Sequence, residues 1–363
     1  MKQNEALVAK KYDDFNLTNN NLFSEISKEL ETNNFRLLQQ NDFDNDGGEN
    51  KIKDQFISFQ KAMKMVIIWG QSILSITAPR WPPLMNELIN SRLNEYIHPS
   101  VVKRCKIAFL YISVEHIMAI LSRLIGILEC HEEEVPVGEV FVRATTPWLY
   151  ELNIPYDVWL GIILQYLNIV NTATWNYLDI FIVCISLYLT SIMEQINKKI
   201  ISMASKNYVS ASTWAVLRQD YNRATKLIKQ FDDVFSGLVL IAFANDLFAI
   251  CLQLYNVLAI FRNYIFPAYV TYSTLYLIVR FLTLSLVASG VHSSSLVSLP
   301  ALYAVPTTSY CKEVERFQSQ VNSDTVALSG LHFFYVTRDL VLTVAGTIVT
   351  YELVLLQFSN DDK

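Results

Sequence analysis

Apolar positions along this chain fall into two patterns that predict two kinds of helix. Five stretches are almost continuously apolar: Ile107 to Leu128, Val158 to Ile192, Val234 to Phe261, Ala268 to Gly290 and Leu340 to Phe358. Crossing the roughly 30 Å hydrocarbon layer of a bilayer takes about 20 helical residues, so each run predicts a membrane-spanning helix. Elsewhere the pattern is periodic. Val314, Phe317 and Val321 recur at i, i+3 and i+7 among charged residues, which predicts an amphipathic helix. Ser210 to Phe231 is similar, with Trp214, Leu217, Tyr221, Leu227 and Ile228 set among charges. Both segments can be continuations of spans beyond the membrane.

Two stretches near the amino terminus differ from these. Met65 to Ala78, "MVIIWGQSILSITA", is apolar but only 14 residues long, and "PRWPP" breaks it at once. As a helix it measures about 21 Å, which predicts an interfacial or re-entrant segment rather than a comfortable span. Residues 1–60 are polar and Asn-rich, with no signal-peptide pattern, and predict a disordered cytoplasmic arm. Composition supports the same class: 52% of the 363 residues are hydrophobic and only 17% are charged. This is a polytopic all-α membrane protein.

Placement of charge then orients it. Nine Lys and Arg lie in residues 1–64, five in 80–106, one in 129–157, seven in 193–233, one in 262–267 and three in 291–339. Basic and non-basic loops alternate, so the positive-inside rule puts the amino terminus, 193–233 and 291–339 in the cytoplasm and the carboxyl tail outside. Cys105, Cys130, Cys184, Cys251 and Cys311 show no CxxC or metal spacing, and no disulfide framework is expected.

Candidate chemistry lies where a bilayer makes it costly. An ionisable group at mid-membrane costs about 2.5–3.5 kcal/mol on insertion scales and needs a partner, a cavity or a function. The runs contain Glu115, His116, Arg123, Asp179, Asp246, Arg280 and Glu352. Asp246 and Arg280 lie on consecutive runs, 16 and 13 residues from the turn between them. That puts them at similar depth, roughly 24 and 20 Å from it, and predicts a buried ion pair that either fixes packing or meets a ligand.

Trp175, Asn176 and Asp179 share about one helical turn in "TWNYLDIFI", with Gln165 and Tyr166 upstream; Asn245, Asp246 and Gln253 lie on the next run. Aromatic faces with amide and carboxylate groups suit a polyhydroxylated ligand, whose C–H faces and many hydroxyls both need partners. Singly, such groups also serve as interhelical glue. No paired-His spacing, phosphate loop or Ser/His/Asp arrangement is legible, so no metal, cofactor, nucleic-acid or enzyme chemistry is expected.

On a helical wheel of the last run, Thr343, Thr347, Thr350, Val354 and Gln357 fall within about 40° of one line, with Phe358 at its flank and Glu352 on the opposite side. The stripe reads either as a packing face or as one wall of a pore shared by several subunits.

The chain closes on Thr350-Tyr351, five residues and then Gln357-Phe358. That spacing, in the longer stretch "LSGLHFFYVTRDLVLTVAGTIVTYELVLLQF", resembles the closing signature of insect gustatory receptors, sugar branch. "FQKAM" (Phe59 to Met63), "RWPPLM" (Arg80 to Met85) and the Trp214/Arg218/Tyr221 pattern are similar to that branch too. The resemblance covers roughly residues 59–358 and implies a seven-helix channel fold, a homo- or hetero-tetramer in the plasma membrane of gustatory neurons, gated by a sugar and passing cations. It implies a pore lined by Thr343, Thr347, Thr350 and Val354, gated at Gln357 and Phe358, with the ligand pocket inside each bundle. One departure stands out. Only residues 64–79 separate "FQKAM" from "RWPPLM", so most of the first two spans of the family pattern are missing here.

The expected organisation is therefore an arm at 1–60 and a short interfacial or truncated first helix at 61–79. A ligand-binding bundle follows at 80–291, with a cytoplasmic helix extension at 193–233; residues 292–363 hold the amphipathic helix and the pore-lining last helix. A non-binding regulatory subunit and a membrane carrier are the alternatives.

Overall fold

The computed structural model describes residues 77–90, 92–129, 136, 138, 139, 142, 155–263 and 267–360, all within the unit Gln60–Lys363. The arm at 1–60 and most of the short segment 61–79 lie outside the described residues, as does most of 129–157.

A 3-10 turn at Ala78–Arg80 leads into α1 (Trp81–Asn90), and a second at Arg92–Tyr96 precedes α2 (Ser100–Glu129). The two longest helices follow, α3 (Val158–Ala204) and α4 (Ala211–Asn263). Side-chain oxygens cap both at their starts. Asp157 accepts from Leu160 N at 3.4 Å, and Ser210 Oγ accepts from Thr213 N at 3.3 Å. At 47 and 53 residues these helices run for about 70 and 80 Å, far more than a bilayer needs. Segment 193–233 is accordingly the continuation of α3 and α4, joined by the turn at 205–210. α5 (Pro267–Leu296) opens on a proline, whose missing N–H costs nothing at a first helical position. The short α6 (Leu299–Tyr303), the amphipathic α7 (Lys312–Ser323) and α8 (Arg338–Asn360) complete the helices.

Among the described residues, three helical segments are long and apolar enough to cross a membrane, Val158–Ala204, Ala211–Leu254 and Tyr272–Tyr303. They carry three of the five apolar runs. The other two form α2 and α8, parts of whose side chains lie outside the described residues.

α3 and α5 form the most extensive helix pairing, with α4 packed against both and α2 against α3. α3 is buried along its second half, where Leu189, Ile192, Met193, Ile196 and Ile200 are all closed off from solvent. Its first half is largely exposed, with Trp159 at 73% and Leu167 at 53%, a pattern that suits lipid rather than water around apolar side chains. Trp81 of α1 sits among Phe181, Phe231 and Phe235, with ring centroids 5.2, 6.2 and 5.4 Å away. The "RWPPLM" segment thus docks on the long helices through one aromatic cluster. Tyr96 donates to Asp220 Oδ2 at 2.6 Å, and burial together with that carboxylate pushes its phenol well above the usual range.

The amphipathic periodicity of α7 is used in full. Val314, Phe317 and Val321 are completely buried, and Phe317 meets Tyr221 of α4 edge-on at 5.3 Å. Arg218 of α4 bonds Glu313 at 2.9 Å and, with Arg316, holds that carboxyl below its usual range.

One element departs from an all-helical reading. β1 (Ser329–Gly330) and β2 (Phe334–Tyr335) pair antiparallel between α7 and α8. Leu331 and His332 hold φ of 46° and 61°, and Phe333 N bonds Gly330 O at 2.9 Å, the geometry of a type I′ turn. Such turns normally take Asn or Gly; here the two residues carry about 1–2 kcal/mol of strain each. Gly330 leaves room for the Phe334 ring, since a Cβ there would lie 2.4 Å from it and force the ring to shift. α4 holds the turn in place: buried Asp232 accepts from Ser329 N at 2.6 Å and from Ser329 Oγ at 2.7 Å, and Leu331 N bonds Ser236 O at 3.2 Å.

Candidate functional site

Four helices converge on a buried polar cluster in the spanning region. Arg280 of α5 is its centre and is 8% exposed. Its guanidinium donates from Nε to Asp179 Oδ2 of α3 and from Nη1 to Asn176 Oδ1 at 2.7 Å, while Nη2 forms ion pairs with Asp179 Oδ2 and, at 3.3 Å, with Asp246 Oδ1 of α4 but makes no hydrogen bond among the described residues. Asn176 extends the network. Its Nδ2 is 2.6 Å from His116 Nδ1 of α2, and its Oδ1 also accepts from Tyr276 OH at 3.3 Å. Two carboxylates therefore face one guanidinium, with a formal balance of one negative charge.

The cluster is incompletely satisfied. Asp179 Oδ1, Asp246 Oδ2, Asn245 Oδ1 and Trp175 Nε1 are buried and have no hydrogen-bond partner among the described residues. An unmatched buried polar group costs about 1–3 kcal/mol, more when charged. Three open acceptors and an indole donor around the guanidinium match the hydrogen-bond chemistry of hydroxyl groups, each of which both donates and accepts.

Asn176, Asp179, Asp246 and Arg280 come together in this network. The equal-depth argument paired Arg280 with Asp246 alone, but Asp179 is the closer partner. The reason is packing, because α5 lies most extensively along α3. Trp175 and Asn245 are buried beside their network neighbours in sequence. Gln165 is half-buried with Oε1 unpartnered among the described residues, and Gln253 is half-buried two turns beyond Asp246. Tyr166 is 66% exposed and is not among the residues bonded in the cluster, because it points off the exposed half of α3. Tyr276 and His116 carried no assigned role in the sequence. Tyr276 stands one turn before Arg280 on the same face, a legible signal, whereas nothing in the sequence places His116 against Asn176.

On α8, Thr343, Thr347 and Thr350 are exposed along one stripe, with Gly346 beside them and, among the described residues, nothing within 4 Å of where its Cβ would stand. Each threonine hydroxyl donates to the carbonyl four residues earlier at 2.9 Å. Val354, Gln357 and Phe358 lie on the same helix, and their side chains fall outside the described residues.

A family model described as trehalose receptor matches residues 56–363. The chain belongs to that family, the sugar receptors of insect taste. It is a family of receptors, not enzymes. The chain is similar to the Drosophila melanogaster gustatory receptor for sugar taste 64f, with 32% identity over 331 residues, 86% of this chain and 69% of that protein. Gustatory receptor 5a for trehalose, from the same organism, is 33% identical over 296 residues, 79% of this chain and 66% of its own length. Gustatory receptor for sugar taste 64a is 32% identical over 310 residues, 85% of this chain and 66% of its own length. The chain spans about two thirds of the length of these relatives.

Among solved structures, the insect olfactory receptor OR5 from Machilis hrabei in complex with eugenol matches with a TM-score of 0.61 at 15% identity, over 84% of this chain and 82% of that one. A second structure of the same receptor matches with a TM-score of 0.55 at 14% identity, over 82% of this chain and 79% of that one. The fold is thus the helical membrane fold of the insect olfactory receptors.

Proposed function

We propose that the chain is a sugar-sensing subunit of a ligand-gated, non-selective cation channel in the plasma membrane of taste neurons, assembled as a homo- or heterotetramer. The observation that carries this reading is the Arg280 cluster, a buried polar site with unmatched acceptors in a chain of the sugar-receptor family. A sugar would bind with its hydroxyls on Asn176, Asp179, Asn245 and Asp246 and a C–H face on Trp175, with Gln165, Tyr166 and Gln253 toward the pocket entrance. Positive-inside charge placement supports a cytoplasmic amino terminus and an external carboxyl terminus. The arm, bundle and last-helix division at 60, 80 and 292 belongs to the same reading.

Support for a cation path comes from the threonine stripe. Each Oγ–H is tied to its own helix backbone, so the outward lone pairs offer acceptors and no donors. A wall of acceptors favours cations over anions. Val354 continues the stripe, and Gln357 and Phe358 close it as the gate. Expressing the full chain in oocytes and applying trehalose is the test. A trehalose-evoked current that reverses near zero in mixed Na⁺ and K⁺ is expected; surface-expressed protein without sugar-evoked current overturns the reading.

A further inference from the structure

From Phe281, next to Arg280 in sequence, to Phe334 in the turn before α8 runs a chain of aromatic contacts. Phe281, next to Arg280, meets Phe243 edge-on at 5.7 Å and 77°. Phe243, three residues before Asp246, meets Phe334 at 5.7 Å and 50°. Phe334 ends the strained turn that leads into α8. The same face of α4 carries both ends of the connection. Asp232, Ser236, Phe243 and Asp246 follow one another at steps of 4, 7 and 3, which keeps them on one helical stripe. The first two hold the hairpin, and the last faces Arg280.

We propose that Phe243 couples the Arg280 cluster to α8, with the Gly330–Phe334 turn as the movable joint. This rests on the sugar-channel reading above. Phe243 and Phe281 are 3% and 2% exposed, and a close-packed interior does not absorb displacement by compression. A shift of α4 or α5 at Asp246 or Arg280 therefore moves Phe243, and Phe243 moves Phe334. Coupling also needs an element with two arrangements. The turn is the candidate for that element, because Leu331 and His332 hold unfavourable φ where Asp232 holds Ser329 and the Ser236 carbonyl holds Leu331 N. Release of that grip lets the turn relax and changes how α8 leaves it.

Buried rings in a core are equally expected if Phe243 only packs, so the test separates binding from gating. Full-length chain is expressed and quantified at the surface; trehalose binding is measured on purified receptor and trehalose-evoked current in cells. Phe243→Ala is expected to keep the trehalose Kd within about twofold while lowering the maximal current at least about fivefold. Phe334→Ala behaves alike, the double variant falls no further than either single one, and Phe243→Tyr restores the current. Parallel loss of binding and current, or additive losses in the double variant, overturns the coupling. Absence of any trehalose response in the unsubstituted chain is a failure of the sugar reading, and the coupling is then read from resting leak. Asp246→Asn is expected to change that leak in the unsubstituted background and not in Phe243→Ala. An unchanged leak, or the same change in both backgrounds, overturns the proposal.

Discussion

Arg280 of α5 donates from Nε to Asp179 of α3 and pairs with the same carboxylate through Nη2, while Asp246 of α4 stands off at 3.3 Å. The close bond ties α5 to α3, the pair that packs most extensively, and the looser one leaves an Asp246 oxygen unmatched. Removing the cation strands both carboxylates in the core.

Arg280→Met is accordingly expected to lose about 3–5 kcal/mol of stability, the cost of breaking a buried pair from one side. Fluorescence-detected thermal unfolding in detergent reads this as a large drop in Tm. Replacing all three charges together, Arg280→Met with Asp179→Leu and Asp246→Leu, is expected to restore most of the stability while trehalose-evoked current stays absent. A triple variant as unstable as Arg280→Met would show that charge burial is not the cause.

Thr347 faces outward on α8 and Ile348 is half-buried. If α8 lines a cation pore as proposed, Thr347→Cys is expected to make the current sensitive to a positively charged, membrane-impermeant thiol reagent, falling at least about tenfold as the pore narrows and repels cations. Ile348→Cys is expected to be insensitive. Equal sensitivity at the two positions would remove the pore from this stripe.

Gly330 and Leu331 are neighbours with opposite needs. A methyl group at Gly330 would meet the Phe334 ring at 2.4 Å, so Gly330→Ala is expected to cost about 1–3 kcal/mol by overpacking. Leu331 holds φ of 46°, so Leu331→Gly removes strain and is expected to raise stability by about 1 kcal/mol, less what glycine gains in the unfolded chain. Unfolding curves of the two variants should move in opposite directions.

Phe317 and Glu313 lie on the same amphipathic helix, one completely buried and the other on its polar side. Phe317→Ala is expected to cost about 3–5 kcal/mol, because it opens a cavity beside Tyr221. Glu313→Gln, at a screened surface pair, is expected to leave Tm almost unchanged at neutral pH. Arg218 and Arg316 lower the folded-state pKa of Glu313, so its small stabilisation is present above the ordinary carboxylate range and fades as pH falls through the lowered value. Thermal scans of the wild type and Glu313→Gln should differ slightly at pH 7 and draw together as pH falls below the ordinary carboxylate range.

Much of this was legible in the chain. Val314, Phe317 and Val321 announced the buried face of α7 because a period of seven over two turns leaves few alternatives. Asp179, Asp246 and Arg280 announced themselves by sitting in apolar runs where an unpaired charge is costly. The pairing among them was not legible, since equal depth is measured along each helix and partner choice depends on which faces meet. The hairpin was hidden for a different reason. "SGLHFF" lacks the Asn-Gly signal of a type I′ turn, and its two positive φ angles are imposed by Asp232 and Ser236, about a hundred residues away.

Sequence alone determined the helical membrane class, the helix-length runs and the polar groups that must be paired, because cost of burial and periodicity act locally along the chain. Tertiary structure alone decided that Arg280 takes Asp179 as its nearer partner and His116 reaches Asn176, and that Phe334 rests on Phe243. Those contacts depend on how helices rotate and slide against one another, and that is set by the packing of whole faces rather than by any residue's neighbours in sequence.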